Sequence, residues 1–163
     1  MSWWGGKVRQ SWRHVSGRVS PQERAAVAAW LTPRQLALYD GMHPADRRHG
    51  LDVVAALRAS GHEDPDLLLA GLLHDASKGP TVGLGPRVAW SLGERYGAWV
   101  WRLAAGLPGY PVAFDGLRDH AADSAQLALD AGCSAVTAEL IRNQARPVDP
   151  VAGVALHLAD EAS

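Results

Sequence analysis

The 163-residue sequence contains a single cysteine, Cys133. One cysteine excludes an intramolecular disulfide framework and a zinc site built from several cysteines, and it is typical of a reducing compartment. No uninterrupted apolar run approaches the ~20 residues that a membrane-spanning helix needs. The first residues carry charges where a signal peptide needs an apolar core. We therefore expect a cytoplasmic protein without a membrane span.

Charge and motifs exclude further classes. A net charge of −1 leaves no basic footprint for nucleic acid. Residues 1–22 hold four basic side chains and no acidic one, so the remainder of the chain is mildly acidic. Neither a glycine-rich phosphate loop nor the GxSxG motif of serine hydrolases occurs. We expect no specific nucleic-acid partner.

Helical periodicity dominates the chain, and strand alternation is almost absent. Ser20 and Thr32 each begin a capping-box pattern followed by proline, which predicts a helix start. Residues 67–73 are apolar on every side and predict a central buried helix. The fold class is therefore all-α, a bundle of about eight helices with an N-terminal amphipathic helical arm. The predicted helices span 7–18, 21–31, 33–41, 44–61, 64–78, 86–106, 115–131, 134–145 and 150–163, with a loop at 106–114.

The N-terminus forms a basic, tryptophan-rich arm. Apolar residues of the arm fall on one helical stripe, which predicts an amphipathic helix. We favour an arm that packs on the body over one that binds a membrane surface, because its basic face is short and the rest of the chain is acidic. We assign the arm to residues 1–41 and the main domain to 42–163. The stripe consists of Trp4, Val8, Trp12, Val15 and Val19.

The dipeptide His74-Asp75 is the most informative feature of the sequence. It follows seven apolar residues on the helix that we expect to be most buried. A buried carboxylate is costly unless it is paired or bound to a cation, so Asp75 needs a partner. An isolated His-Asp pair is explained by a structural hydrogen bond.

The pair is not isolated. His49 lies on the preceding helix, His120 faces apolar neighbours on a later one, and Asp160 follows an apolar stripe on the last. One inward histidine is usually a hydrogen-bonded core residue, but four such positions on four helices indicate a metal site. Imidazoles and carboxylates together suit Mn, Fe, Co, Ni or Zn.

Two long segments carry a family resemblance. Residues 46–79, DRRHGLDVVAALRASGHEDPDLLLAGLLHDASKG, resemble the opening of the HD-domain metal-dependent phosphohydrolases, whose ligand pattern is H…HD…D on separate helices. LRDHAADSAQLALDAGCSAVTAELIRNQ and the ending ALHLADEAS resemble the later helices of that family. The resemblance covers roughly residues 42–163 and implies an HD-domain helical bundle.

The resemblance implies specific roles. The metal ligands would be His49, His74, Asp75 and Asp160. Asp75 would orient the attacking water, and Lys78 would neutralise charge on the phosphate. For Lys78, a solvated lysine interacting with the helix dipole is an equal alternative.

His120 matches a histidine that family members with two metal ions use as a ligand. Alternatively, the resemblance implies that His120 contacts the substrate phosphate. A second such histidine is replaced here by Asn143-Gln144, and amides are poor ligands for transition metals. We therefore expect one divalent ion rather than two.

The sequence thus predicts a phosphohydrolase that cleaves a phosphate ester of a small molecule by metal-activated water. A nucleotide is the expected substrate from the resemblance alone, and a homo-oligomer is compatible with it. One alternative is a degenerate, non-catalytic HD module that binds a ligand or protein partner, which the Asn143-Gln144 departure favours. Another is an interaction protein that docks through its tryptophan-rich arm.

Overall fold

The computed structural model of this protein describes residues 18–78 and 84–163. These residues form ten α-helices and one 3₁₀ turn, and they contain no strand, which confirms the all-α class. The helices are α1 Pro21–Ala28, α2 Pro33–Gly41, α3 Pro44–Ala59, α4 Pro65–Leu73, α5 Leu84–Tyr96, α6 Ala98–Ala104, α7 Tyr110–Arg118, α8 His120–Asp130, α9 Ala135–Arg142 and α10 Ala152–Ala162, with the 3₁₀ turn at Ala76–Lys78.

The described part of the predicted arm belongs to the same core as the main domain. Val27 of α1 and Tyr39 of α2 are fully covered and lie in the central hydrophobic cluster. The predicted helix 7–18 falls almost entirely on residues 1–17, outside the described residues. Within the described ranges, no helix combines the length and apolar character that crossing a bilayer requires.

Both predicted capping boxes are confirmed. The Ser20 hydroxyl accepts a hydrogen bond from the Glu23 amide at 3.2 Å, and the Glu23 carboxylate accepts one from the Ser20 amide at 2.8 Å. Thr32 and Gln35 make the same reciprocal pair at the start of α2. Each box satisfies two backbone donors that a helix start leaves without a helical partner.

Helix α4 is the central buried helix, as its apolar run predicts. Six of its nine residues are buried, and it packs against α3, α9 and α10. Burying a leucine or isoleucine side chain contributes roughly 1.5–3 kcal/mol each. The buried side chains around α4 therefore hold the helices that carry the candidate site in fixed relative positions. Its fully covered side chains are Val53, Leu57, Leu67, Leu72, Leu73, Ile141 and Leu156.

Helices α3 and α4 cross at two glycines. A Cβ on Gly50 would lie 2.5 Å from the backbone oxygen of Leu72, and a Cβ on Gly71 would lie 2.9 Å from Leu57 Cδ1. At Gly50 the two backbones therefore approach more closely than alanine allows, whereas the space beside Gly71 is filled by the Leu57 side chain. This crossing places His49, the neighbour of Gly50, beside the end of α4.

The predicted helix 64–78 is shorter in the structure. Helix α4 ends at Leu73, and the chain continues through a turn into the 3₁₀ turn at residues 76–78. The Ser77 amide donates to Ser124 Oγ at 3.0 Å, and the Ser77 hydroxyl donates to the His120 carbonyl at 2.8 Å. These bonds to α8 replace the helical bonds that Ser77 would otherwise make.

The predicted helix 86–106 is two helices. It breaks only at Gly97, whose φ of +105° is accessible to glycine and strained for other residues. The break folds α6 back so that Trp101 stacks on Trp90 with ring centroids 4.9 Å apart. Gly93 stays helical, and the Trp101 ring occupies the space where its Cβ would lie.

The predicted loop at 106–114 is wrong in its second half. Helix α7 begins at Tyr110, with Pro111 in its first turn after the left-handed Gly109. Phe114 of this helix is buried and packs against Trp90 and Tyr110, so tertiary contact stabilises helix where the local pattern indicates a loop. The predicted helix 115–131 is divided at Asp119, where α7 ends and α8 begins.

The Gly50→Ala substitution should destabilise the protein. The new methyl group would meet the Leu72 carbonyl, which belongs to backbone and cannot move away independently. Overpacking of this kind costs about 1–3 kcal/mol. Gly41→Ala is the matched control, because nothing lies within 4 Å of its Cβ. Urea unfolding should show a lower free energy for Gly50→Ala alone; equal stability of the two variants would contradict the close crossing.

Candidate metal centre

Helices α3 and α10 bring His49 and Asp160 together. His49 Nε2 lies 2.7 Å from Asp160 Oδ1, across 111 residues of sequence. The Asp160 side chain is 35% exposed and that of His49 is 14% exposed, so this pair lies at the solvent side of the site. The rings of His49 and His74 meet edge to face with centroids 5.0 Å apart.

His74 is directed by a backbone bond at the end of α4. Its Nδ1 donates to the Gly71 carbonyl oxygen at 2.9 Å. A carbonyl oxygen only accepts, so Nδ1 carries a hydrogen and Nε2 points the other way. Nε2 faces two carboxylates, with Asp75 Oδ1 at 3.5 Å and Asp160 Oδ1 at 3.4 Å. The side chain is only 2% exposed.

The electrostatics of this group are strongly coupled. Burial alone lowers the pKa of His74, but the carboxylates of Asp75 and Asp160 outweigh burial and raise the pKa to about 9. Burial alone raises the pKa of Asp75, but His74 and Lys78 outweigh it and hold the pKa well below its usual range. The pKa of Asp160 is lowered in the same way by His49 and His74. The site thus favours ionised carboxylates around one positive charge.

Lys78 holds the second oxygen of Asp75. Its Nζ lies 2.6 Å from Asp75 Oδ2, one turn along the chain. Burial alone lowers the pKa of Lys78, but the Asp75 carboxylate outweighs burial and raises it. The ammonium therefore pairs with Asp75, and its contact with a substrate phosphate stays a prediction. Asp75 Oδ1 remains directed at the histidines.

His120 borders the cluster on the side of Asp75. Its Nε2 lies 3.8 Å from Asp75 Oδ1, and its side chain is 20% exposed. Gln144, which follows α9, places its amide nitrogen 3.4 Å from His120 Nε2. Asn143 instead turns its amide to the Glu139 carbonyl at 2.9 Å. Asn143 and Gln144 stand where the resemblance would place a second histidine. Of these two amide residues, only Gln144 contacts a predicted site residue.

The residues present fit a divalent transition metal. Ligand atoms of His49, His74 and Asp160 all lie within 4.8 Å of one another. Among the described residues, the buried atoms His74 Nε2 and Asp75 Oδ1 have ion-pair contacts of 3.4–3.8 Å in place of close hydrogen bonds. Buried polar atoms without a close hydrogen bond are rare, and an ion between them is one explanation. The His74 bond to a backbone carbonyl is also the usual support of a metal-ligating imidazole.

The structure brings all the predicted site residues into one region. His49, His74, Asp75 and Asp160 meet at its centre, and Lys78 and His120 adjoin Asp75. Their roles as ligands and catalysts stay predictions.

Sequence reasoning missed the contact of Gln144 with His120 and the burial of Asp46. Asp46 had a signal, because it lies three residues before His49 on the same helical face. The four histidines predicted to lie outside the ligand set are His14, His43, His62 and His157, of which His14 lies outside the described residues.

Comparison of the chain with protein-family models, with curated proteins and with solved structures gives no match in any of the three. The geometry of the site therefore carries the functional argument that follows.

The raised pKa of His74 predicts a pH effect on the metal-free protein. The folded protein holds this proton more tightly than the unfolded chain does. The proton therefore stabilises the fold fully below about pH 6.5 and ceases to do so as the pH rises through about 9. We expect the melting temperature of chelator-treated protein to fall from about pH 7 to about pH 9. Zn²⁺ should remove most of that fall, because an ion takes the place of the proton.

Two glutamine variants control this experiment. His74→Gln removes the titrating ring and should lose the pH-dependent component. His62→Gln, beyond the far end of α3, should keep it. A wild-type melting temperature that is the same at both pH values, and unchanged by Zn²⁺, would contradict both the coupled cluster and the metal fit.

Proposed function

We propose that this protein is a metal-dependent phosphohydrolase that cleaves a phosphate ester of a small molecule. The observation that carries the proposal is the convergence of two histidines and two aspartates from three separate parts of the chain. His74 Nε2 lies between the carboxylates of Asp75 and Asp160, and His49 contacts Asp160. The order H…HD…D of these residues supports an HD-domain assignment within the all-α fold.

His49, His74, Asp75 and Asp160 would hold one divalent ion. Imidazole and carboxylate donors suit Mn, Fe, Co, Ni or Zn. When bound, such an ion lowers the pKa of a coordinated water and polarises a phosphoryl oxygen.

In this proposal, Asp75 would orient the attacking water. Its Oδ1 faces the histidines and can accept a hydrogen from a water there, while Lys78 fixes Oδ2 at 2.6 Å. A carboxylate held by one oxygen keeps the direction of the other, which lowers the entropy cost of placing the water. Lys78 is in this scheme a positioning residue that acts through Asp75.

Substrate would approach from the side of Asp160, His120 and Lys78. Their side chains are 35%, 20% and 25% exposed, whereas His74 and Asp75 are almost fully covered. Asp160, Lys78 and His120 are therefore the site residues that solvent reaches most. A phosphate group approaching them would meet His120 beside Asp75, the contact that the resemblance implies for His120. A nucleotide is the substrate class that the HD-domain resemblance implies.

The Asp75→Asn substitution should abolish hydrolysis. The amide retains the size of the carboxylate but loses the charge that balances His74 and an ion. We expect the rate of p-nitrophenyl phosphate or nucleotide hydrolysis with Mn²⁺ or Co²⁺ to fall by at least about a hundredfold. Elemental analysis should show reduced metal content in the same protein.

Asp130→Asn is the matched control, because Asp130 is an exposed residue at the end of α8 bonded to Gln126. This variant should hydrolyse at the wild-type rate. Full activity of Asp75→Asn would exclude the proposed mechanism. A wild-type protein that binds metal and nucleotide without hydrolysing any phosphate ester would support the non-catalytic HD module instead.

Lys78→Met should reduce turnover more than substrate binding. Removal of the ammonium frees Asp75 Oδ2 to turn away from its present direction. We expect kcat to fall about tenfold with KM little changed, because the loss concerns orientation in the transition state. Lys78→Arg retains the charge and should recover most of the rate. An equal fall in kcat for both variants would argue against a positioning role.

A further inference from the structure

A second group of polar atoms meets around Asp75, beside the cluster of His49, His74 and Asp160. Asp75 Oδ1 lies 3.5 Å from His74 Nε2 and 3.8 Å from His120 Nε2, so one oxygen faces two imidazoles. Gln144 Nε2 lies 3.4 Å from His120 Nε2. Gln144 is only 6% exposed, so protein contacts rather than solvent fix its amide.

The orientation of the Gln144 amide follows from its other contact. The same nitrogen donates to the His74 carbonyl oxygen at 3.4 Å. That oxygen only accepts, so the amide must direct its NH₂ group inward and its own oxygen elsewhere. The second amide hydrogen is then available to His120 Nε2, which acts as the acceptor. His120 is thereby held with its Nε2 lone pair directed at an amide donor.

We propose that Gln144 limits the metal centre to a single ion. Two ligands bonded at about 2.1 Å in a tetrahedral site lie roughly 3.4 Å apart. The nitrogens of Gln144 and His120 have this separation, so the amide nitrogen occupies the place of a ligand to a second ion beside Asp75. An amide NH₂ only donates and cannot coordinate a cation. This inference rests on the proposed function, since it requires the first metal position.

The neighbouring residue provides a matched comparison. Asn143 donates through its side-chain amide to the Glu139 carbonyl at 2.9 Å and to Glu139 Oε2 at 3.1 Å. A histidine at position 143 would therefore add the same imidazole one residue away from Gln144 without reaching His120. A histidine at position 144 would present a lone pair in place of the amide hydrogens.

The test is the number of Co²⁺ ions bound by the full chain. Wild-type, Asn143→His and Gln144→His proteins are stripped with chelator, dialysed against Co²⁺ and assayed by elemental analysis. The visible spectrum reports the coordination of each ion. Circular dichroism melts establish that each protein is folded. Gln144→Glu, which keeps the size of the side chain and supplies a carboxylate ligand, is the second variant should Gln144→His fold poorly.

One equivalent in wild type and Asn143→His, with two in Gln144→His or Gln144→Glu, is the expected result. Adding His120→Ala to the two-ion variant should return it to one. Two equivalents of Co²⁺ in the wild type would overturn the role of Gln144 and leave the proposed function intact. One equivalent in every folded variant would have the same two consequences. Two equivalents in Asn143→His would equally overturn the assignment to position 144. A wild-type protein without any bound ion would contradict the proposed function itself.

Discussion

The candidate site depends on one buried imidazole edge. His74 gives its Nδ1 hydrogen to the Gly71 carbonyl, and Nε2 therefore faces the carboxylates of Asp75 and Asp160. A neutral nitrogen lone pair directed at two carboxylates is repulsive at low dielectric. The arrangement is stable only when a cation lies between them, either a proton on Nε2 or a metal ion. The raised pKa of His74 and the lowered pKa values of both aspartates follow from this requirement for a positive charge.

The surrounding fold serves to hold that edge in place. The α3–α4 crossing brings His49 beside His74, because the Leu72 backbone lies where a Cβ on the adjacent Gly50 would be. Ser77 ties the chain after Asp75 to α8, which positions His120 on the same side. Lys78 then neutralises the outer oxygen of Asp75. The Ser77 bonds join elements more than 40 residues apart in sequence, so the site and the core form one structural unit.

Within this unit, the polar residues beside Asp75 divide into two kinds. His49, His74 and Asp160 place one ligand atom each within 4.8 Å of one another, as a metal site would require. Gln144 presents hydrogens toward His120 from a similarly buried position. In the proposed centre, this difference between an acceptor and a donor would separate a place where a cation is stabilised from one where it is excluded. A proposed hydrolase with Gln144 at this position would therefore hold a single ion. This gives a physical reason why an amide in place of a second histidine matters.

The local sequence was sufficient to predict the all-α class, the buried helix at 67–73 and both capping boxes, because periodicity and caps depend on residues within one or two turns. The types of site residue were also readable, since a buried aspartate after an apolar run needs a partner, either a paired side chain or a cation. Tertiary contacts decided the rest. The helix at Tyr110–Arg118 forms against Trp90, the helix after Leu73 unwinds to reach Ser124, and Gln144 rather than Asn143 meets His120. Such contacts join residues far apart in the chain, and no local pattern encodes their geometry.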